Sequence, residues 1–269
     1  MFNYLTRLAR AAGATIIGFS VMAGSATAQQ ALTPKDIQDR GTVKVGVLVD
    51  FPPFGITNES NQPDGYDADV AKALAKKMGV KIELVPVTGP NRIPYLQTGK
   101  IDMVIGSLSI TPARSEQVLF SAPYCALEGV MYARKDLKIT DYSDLGGSRI
   151  GVARASPQDT LVTKHAPAGT KIQRFDQISA VYQSVLSQQV DGAVIGTLIA
   201  AELDKKMEGR YETKFRLYVT YQGVALRLGS DELAAALNAD IAELNAEGVL
   251  SQLYQKWIGS ALPDLAAAK

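Results

Sequence analysis

The segment from Ser107 to Arg114 carries polar side chains whose spacing suits the binding of an anion. Ser107, Ser109 and Thr111 alternate with apolar residues, so their hydroxyl groups face one side of an extended chain. The guanidinium of Arg114, three residues later, can donate two parallel hydrogen bonds to a carboxylate. These residue types could therefore bind a carboxylate. The alternatives are a solvated surface arginine beside Glu116 and an ordinary serine-rich turn.

A second anion-favouring feature is the predicted start of a helix at Pro157. Ser156 precedes it and can accept a hydrogen bond from the backbone N–H of Asp159, while proline suits the first helical position. The partial positive charge at a helix N-terminus also favours an anionic ligand. Ser156 is therefore either a ligand contact or a helix cap alone. Arg154, just before it, could face the same site.

The chain has few of the residues on which hydrolytic, metal-dependent or nucleotide-dependent catalysis depends. His165 is its only histidine and Cys125 its only cysteine, which argues against a serine triad or a metal cluster and excludes an internal disulfide. No G-x-S-x-G elbow, phosphate-binding loop or G-x-G-x-x-G run occurs. We expect no metal, no cofactor and no enzymatic activity.

Short apolar strands alternate with amphipathic helices, which predicts an α/β fold in two similar halves. The first half is predicted to contain strand Thr42–Val49, helix Asp67–Met78, strand Val80–Val87, helix Asn91–Gln97 and strand Ile101–Gly106. The second is predicted to contain strand Arg149–Ala153, helix Pro157–Lys164, strand Lys171–Phe175, helix Gln177–Gln188 and strand Asp191–Ile195. Two terminal helices follow, Asp231–Leu244 and Val249–Trp257. A cleft between the halves is the expected ligand site, because α/β sheets bind ligands beyond the carboxyl ends of their strands.

The first 28 residues are predicted to be an export signal with cleavage after Ala28. Arg7 and Arg10 precede an apolar stretch from Ala11 to Ala23, and small residues follow. This stretch is shorter than the roughly 20 residues that span a bilayer as a helix, although a membrane anchor is the alternative. Removal of the signal changes the formal net charge from +1 to −1. Such a chain, without a basic patch, is not typical of nucleic-acid or anionic-membrane binding.

Three separated segments resemble the periplasmic amino-acid-binding proteins of ABC importers, which are family 3 solute-binding proteins. They are GYDADVAKALAKKMGVKIELVPV, NRIPYLQTGKIDMVIGSLSITPAR and ALNADIAELNAEGVLSQLYQKWIG. The likeness runs from about Gly41 to Gly259. It implies a type II periplasmic binding fold, in which two lobes of mixed sheets flanked by helices are joined by two crossing hinge strands. The lobes would be residues 42–131 plus 222–269, and residues 132–221.

The resemblance also implies roles for single residues in the first lobe. Arg114 stands where the family has its carboxylate-binding arginine, with Ser107, Ser109 and Thr111 at the positions of its hydroxyl and backbone partners. Phe51 stands where an aromatic ring covers the apolar part of the ligand, and its alternative role is in the core.

Further contacts are implied at Arg92 and in the second lobe. In members that bind acidic amino acids, an arginine in the segment that matches Asn91–Pro94 reaches the side-chain carboxylate. Arg92 could do the same, or it could begin a helix and pair with a nearby acid. Ser156 and Thr197 would complete the ligand cage when the lobes close about the hinge.

The sequence departs from the family at one position. The family usually places an aspartate for the ligand's ammonium group five residues after the position of Asp191, where this chain has Gly196. The position of a second frequent acid is Leu48. A buried ammonium without a counter-charge is costly. Either another group such as Asp50 or Glu128 compensates, or the ligand lacks a primary amine.

We therefore expect an extracytoplasmic binding protein that captures an amino acid, polar or acidic if Arg92 faces it, for an ABC importer. It would act as a periplasmic monomer and deliver the ligand to a membrane permease. The alternatives are a binder of a carboxylate without a primary amine, a cyclohexadienyl-dehydratase-like enzyme on the same fold, and a sensory module that docks to a receptor.

Overall fold

The computed structural model describes residues 31–266, so the predicted signal and its cleavage point lie outside the described residues. The first elements are α1 (Pro34–Arg40), β1 (Thr42–Leu48), β2 (Ile56–Thr57), β3 (Pro63–Asp64), α2 (Tyr66–Lys77), β4 (Lys81–Val87), α3 (Arg92–Gln97) and β5 (Met103–Val104). The middle of the chain forms α4 (Pro112–Ser115), β6 (Leu119–Arg134), a 3₁₀ turn (Tyr142–Leu145), β7 (Arg149–Ala153), α5 (Pro157–His165) and β8 (Lys171–Phe175). The last elements are α6 (Ile178–Leu186), β9 (Gly192–Gly196), α7 (Thr197–Met207), β10 (Tyr211–Leu226), α8 (Asp231–Ala246) and α9 (Val249–Ile258).

Eight strands form one mixed sheet in the order β4-β1-β5-β10-β6-β9-β7-β8. Parallel strands lie at both ends, where β1 pairs with β4 and β5, and β7 pairs with β8 and β9. Between them β6 and β10, each 16 residues long, run antiparallel with several register shifts. These two strands join the two ends of the sheet, which confirms the predicted α/β architecture with two long connecting strands.

The apolar core is divided in the same way as the sheet. The buried members of two clusters come from residues 32–126 and 224–254. The buried members of the other two come from residues 130–211. Each half of the sheet therefore has its own core, and the two long strands pass from one core to the other.

Local signals explain where several helices begin and end. The Ser156 hydroxyl accepts a hydrogen bond from the backbone N–H of Asp159 at 3.1 Å, and Pro157 is the first residue of α5, as predicted. Helix α2 ends just before Gly79, whose φ of +71° lies in the left-handed region that glycine adopts without strain. Among residues 31–266, no helix is long and apolar enough to cross a membrane.

Candidate ligand-binding site

A cavity of about 250 Å³ lies between the two halves and is lined by residues of both. Much of the wall is apolar or aromatic, with Phe51 and Phe54 stacked at 5.2 Å on one side and Val181 and Tyr182 from α6 on the other. A mainly apolar wall with a few polar groups is typical of a small-molecule site.

The structure brings together most of the side chains that the sequence predicts for the site. Seven of them line this cavity: Phe51, Arg92, Ser107, Ser109, Arg114, Ser156 and Thr197. Thr111 is not among the lining residues. Its hydroxyl accepts a hydrogen bond from the backbone N–H of Arg114 at 3.3 Å and caps α4, so Thr111 orients the short helix that carries the arginine.

Arg114 is buried and bonds to both halves of the molecule. Its Nη1 donates to the carbonyl of Ser109 at 2.9 Å, and its Nη2 donates to the carbonyl of Ala155 at 2.8 Å. Burial, with a smaller effect from the neighbouring positive charge of Arg92, lowers the pKa of Arg114 to about 9, so the group remains cationic at neutral pH. A guanidinium has five N–H donors, and Arg114 therefore retains donors for an anion in the cavity.

Arg92 is also buried, and its guanidinium holds the loop that follows β5. Nη1 donates to the carbonyls of Gly106 and Ser107 at 2.7 and 3.2 Å, and Nε donates to the carbonyl of Gly89 at 3.1 Å. Burial lowers the pKa of Arg92 to about 10. The second predicted cation therefore borders the cavity while it supports the backbone that carries the serines.

Ser107 is fixed from behind by a buried network. Its Oγ donates to Asp67 at 2.7 Å, and its backbone N–H donates to the phenol oxygen of Tyr124 at 3.1 Å. Tyr124 in turn donates to Asp67 at 2.9 Å. The φ of Ser107 is +48°, a conformation that is uncommon for a residue with a side chain. The network therefore holds Ser107 in a conformation that the local sequence does not favour.

The carboxyl group of Asp67 is fully buried, and burial raises its pKa to about 6. Hydrogen bonds from Ser107 and Tyr124 oppose this rise. Sequence analysis did not find Asp67 or Tyr124. The available signal was an acid at the start of the apolar face of the predicted helix, where a charged residue needs buried partners.

Two further residues that sequence analysis missed are Tyr182 and Tyr218. Both line the cavity, and within the described part of the chain their hydroxyl groups are buried without a hydrogen-bond partner. Buried polar groups usually have partners, and these two phenols lack one. Tyr182 lies on the predicted helix beside Val181, where a single tyrosine in an apolar stripe resembles a core residue.

Gly196 opens the cavity at the position where an acid was expected. A Cβ added there would have the carbonyl oxygen of Glu128, 3.8 Å away, as its nearest neighbour. The two compensating groups considered above have other partners. The carboxylate of Glu128 lies 3.2 Å from Arg216, and Asp50 accepts a hydrogen bond from the backbone N–H of Ile178. Residues 31–266 contain no cluster of three or more His, Cys, Asp or Glu side chains that could hold a metal ion.

The sequence matches the model of one known protein family. The model of the bacterial extracellular solute-binding proteins, family 3, matches residues 43–260. The chain belongs to this family, and its two-lobed α/β fold is the type II periplasmic binding fold that the resemblance implied.

Relatives of known name are similar along most of the chain. It is 27% identical over 262 residues to the L-cystine-binding protein TcyJ of Escherichia coli (strain K12), covering 95% of this chain and 98% of that one. A solute receptor for L-cysteine of Neisseria gonorrhoeae is 27% identical with a TM-score of 0.77, covering 84% and 94%. The ancestral amino acid-binding protein AncCDT-1, a precursor of cyclohexadienyl dehydratase, is 33% identical with a TM-score of 0.75, covering 84% and 99%.

Proposed function

We propose that this protein captures an amino acid outside the cytoplasm and delivers it to the membrane permease of an ABC importer. The observation that carries the proposal is the guanidinium of Arg114, which is buried at the cavity wall and has only carbonyl oxygens as hydrogen-bond partners among the described residues. A buried cation without a counter-charge is costly. A ligand carboxylate would supply the missing charge and accept two parallel hydrogen bonds.

The amine of the ligand has no acidic partner at Gly196. Its acceptors would be neutral oxygens that line the cavity, such as the hydroxyls of Ser109, Tyr182 and Tyr218. The alternative ligand is a carboxylate without a primary amine. Because Arg92 is bonded to three backbone carbonyls, its support of the loop accounts for its burial without an acidic ligand side chain.

Binding would proceed by closure of two lobes, residues 42–131 plus 222–269 and residues 132–221, about β6 and β10. The separate cores on the two sides of these strands support this division. The larger lobe would bind the ligand first through Arg114, and groups near Ser156 and Thr197 would then complete the cage. The ligand favours the closed form through its additional contacts there. The chain would act as a periplasmic monomer after cleavage behind Ala28.

An enzyme on this fold is the competing function, and the cavity does not favour it. A general acid must reach the substrate with a suitable pKa. Within residues 31–266, Glu128 is the one acidic residue that lines the cavity, and its carboxylate pairs with Arg216 at 3.2 Å. The relatives named above are binding proteins. We therefore propose binding without catalysis.

Isothermal titration calorimetry on Arg114→Ala and Arg210→Ala tests the proposal. Arg210 is an exposed arginine directly before β10 and does not line the cavity. Its replacement therefore removes the same charge without changing the cavity wall. The twenty amino acids and a matched set of organic acids are first screened by thermal shift with the unaltered protein. A compound that binds should lose at least tenfold in affinity with Arg114→Ala, because a charge-assisted pair contributes roughly 1.5–3 kcal/mol.

Arg210→Ala should retain the affinity of the unaltered protein. Equal affinities in all three proteins would refute the proposed carboxylate orientation. A stabilising shift from organic acids alone would replace the amino acid by a carboxylate without a primary amine. If no compound stabilises the unaltered protein, the proposed ligand class is wrong.

A further inference from the structure

The carboxylate of Asp50 joins the two halves of the molecule next to the cavity. Asp50 directly follows the β1 region and precedes Phe51, which lines the cavity. Its Oδ2 accepts a hydrogen bond of 2.7 Å from the backbone N–H of Ile178, the first residue of α6. Strand β1 packs in the first core, whereas α6 contributes Val181 and Val185 to the second. One side chain therefore crosses from one half to the other.

Helix α6 lacks a cap from its own half. The first N–H groups of a helix have no partner within it, and the residue before Ile178, Gln177, makes no capping hydrogen bond through its side chain. Aspartate is among the best N-caps, and its negative charge complements the helix dipole. Asp50 thus supplies from the first half the cap that α6 needs.

The two segments that this bond connects are opposite walls of the cavity. Phe51 lies on one side, and Ile178, Val181 and Tyr182 of α6 lie on the other. If the halves separated about β6 and β10, the carboxylate would leave the N-terminus of α6 and both would return to water. The bond is therefore made in the closed arrangement and lost in an open one.

We propose that Asp50 is a positioning residue that caps α6 across the cleft and selectively stabilises the closed form. The proposal rests on the function proposed above and deepens it. Asp50 is not among the residues that line the cavity, so it can favour closure without a contact to the bound molecule. It differs in this respect from Arg114, whose bond to Ala155 also crosses the cleft but which faces the cavity itself.

Three variants separate this role from an ordinary structural one. Asp50→Ala removes the cap, whereas Asp50→Asn keeps an oxygen that can accept from Ile178, and asparagine is as good an N-cap as aspartate. Asp141→Ala is the matched control, since Asp141 caps the 3₁₀ turn at Tyr142–Leu145 through the N–H of Ser143 within one half.

Closure is measured by small-angle X-ray scattering with and without a mixture of the twenty standard amino acids, and affinity by calorimetry with the component that binds. We expect Asp50→Ala to lose about fivefold in affinity, the size of a typical lost cap, with a smaller decrease in radius of gyration on binding. Asp50→Asn should restore affinity to within about threefold. Asp141→Ala should lower thermal stability while affinity stays unchanged.

Unchanged affinity in Asp50→Ala, with equal losses of thermal stability in the free and bound forms, would overturn the proposal while the proposed function stands. An affinity loss in Asp50→Asn as large as in Asp50→Ala would also overturn it, because the cap would then not explain the effect. If the unaltered protein neither contracts nor binds, the proposed function fails instead.

Discussion

Replacing Asp67 with asparagine should remove a pH dependence from the stability of this protein. The Asp67 carboxyl group is fully buried behind Ser107, and burial raises its pKa to about 6. In an unfolded chain the pKa of an aspartate is about 3.9. Between these values the folded protein binds this proton more strongly than the unfolded chain does.

The sign and size of the effect follow from this difference in pKa. Stability from the protonated group is fully present below about pH 3.9 and is lost as the pH rises through about 6. A difference of about two pKa units corresponds to about 3 kcal/mol. Asparagine does not titrate, so only the unaltered protein has this contribution. On passing from pH 7.5 to pH 4, the free energy of unfolding of the unaltered protein should rise by about 2 kcal/mol relative to Asp67→Asn, because the unfolded carboxyl group is already about half protonated at pH 4.

Urea denaturation followed by circular dichroism at five pH values and constant ionic strength measures this difference. Comparing the two proteins cancels the titration of all other groups. It also cancels any constant cost of the asparagine amide next to Ser107 and Tyr124. Asp191 has a pKa lowered to about 2 by its hydrogen bonds with Arg149, and its contribution is the same in both proteins, so it does not affect the difference between them.

A difference in the free energy of unfolding that stays constant from pH 4 to 7.5 would refute the reasoning, because it requires an Asp67 pKa equal in both states. If Asp67→Asn does not fold, the carboxyl ¹³C resonance of Asp67 in the unaltered protein gives the same answer. It should titrate near pH 6, and a midpoint below pH 4 would contradict the expectation.

Two substitutions test other parts of the cavity. Gly196→Asp should raise the affinity for an amino acid about tenfold or more relative to its des-amino analogue, because the new carboxylate can pair with the amine. There is room for the side chain, since a Cβ at this position lies 3.8 Å from its nearest neighbour. Calorimetry with both compounds measures the ratio of affinities. Arg92→Lys should weaken the binding of all compounds alike and destabilise the fold by about 2 kcal/mol, since an ammonium cannot reproduce the hydrogen bonds to Gly89, Gly106 and Ser107. Weaker binding of dicarboxylates alone would contradict this role.

The elements that follow one clear period could be predicted from the sequence. Strand β1 and helix α2 each lie in a single environment, so their burial follows the expected pattern and predicted and observed bounds differ by one residue at each end or less. Residue patterns alone did not predict β6. This strand contains Pro123 and Gly129 and passes from one core to the other, so no single alternation runs along it. The family resemblance supplied it instead.

Helix α7 had no start signal in the sequence. It follows β9 directly, and Gly196 at its N-cap has no side chain to cap it. At the other end, α7 is followed by Glu208 in the left-handed conformation, a position where glycine is usual. A helix that begins without a capping side chain and ends without glycine carries neither of the usual boundary signals.

The cavity residues that lie close together in the sequence could be predicted, whereas contacts between residues far apart in the sequence could not. Ser107, Ser109 and Arg114 lie within eight residues, and they share the cavity. Asp50 and Ile178 are 128 residues apart, and no local sequence pattern predicts the hydrogen bond between them. Asp67 likewise became part of the site only through the fold, which places it behind Ser107.

From the charges around the cavity, we expect the carboxylate of a ligand to contribute more to affinity than its amine does. In the proposed complex a carboxylate would meet the buried guanidinium of Arg114, whereas an amine would meet neutral oxygens, of which the unpartnered phenols of Tyr182 and Tyr218 are examples. The contact between a carboxylate and a guanidinium adds the Coulomb attraction of two opposite charges, which the bond from an ammonium to a neutral oxygen lacks. Loss of the amine should therefore reduce affinity much less than loss of the carboxylate. The ratio of these two losses measures how far neutral oxygens replace the aspartate that is absent at Gly196.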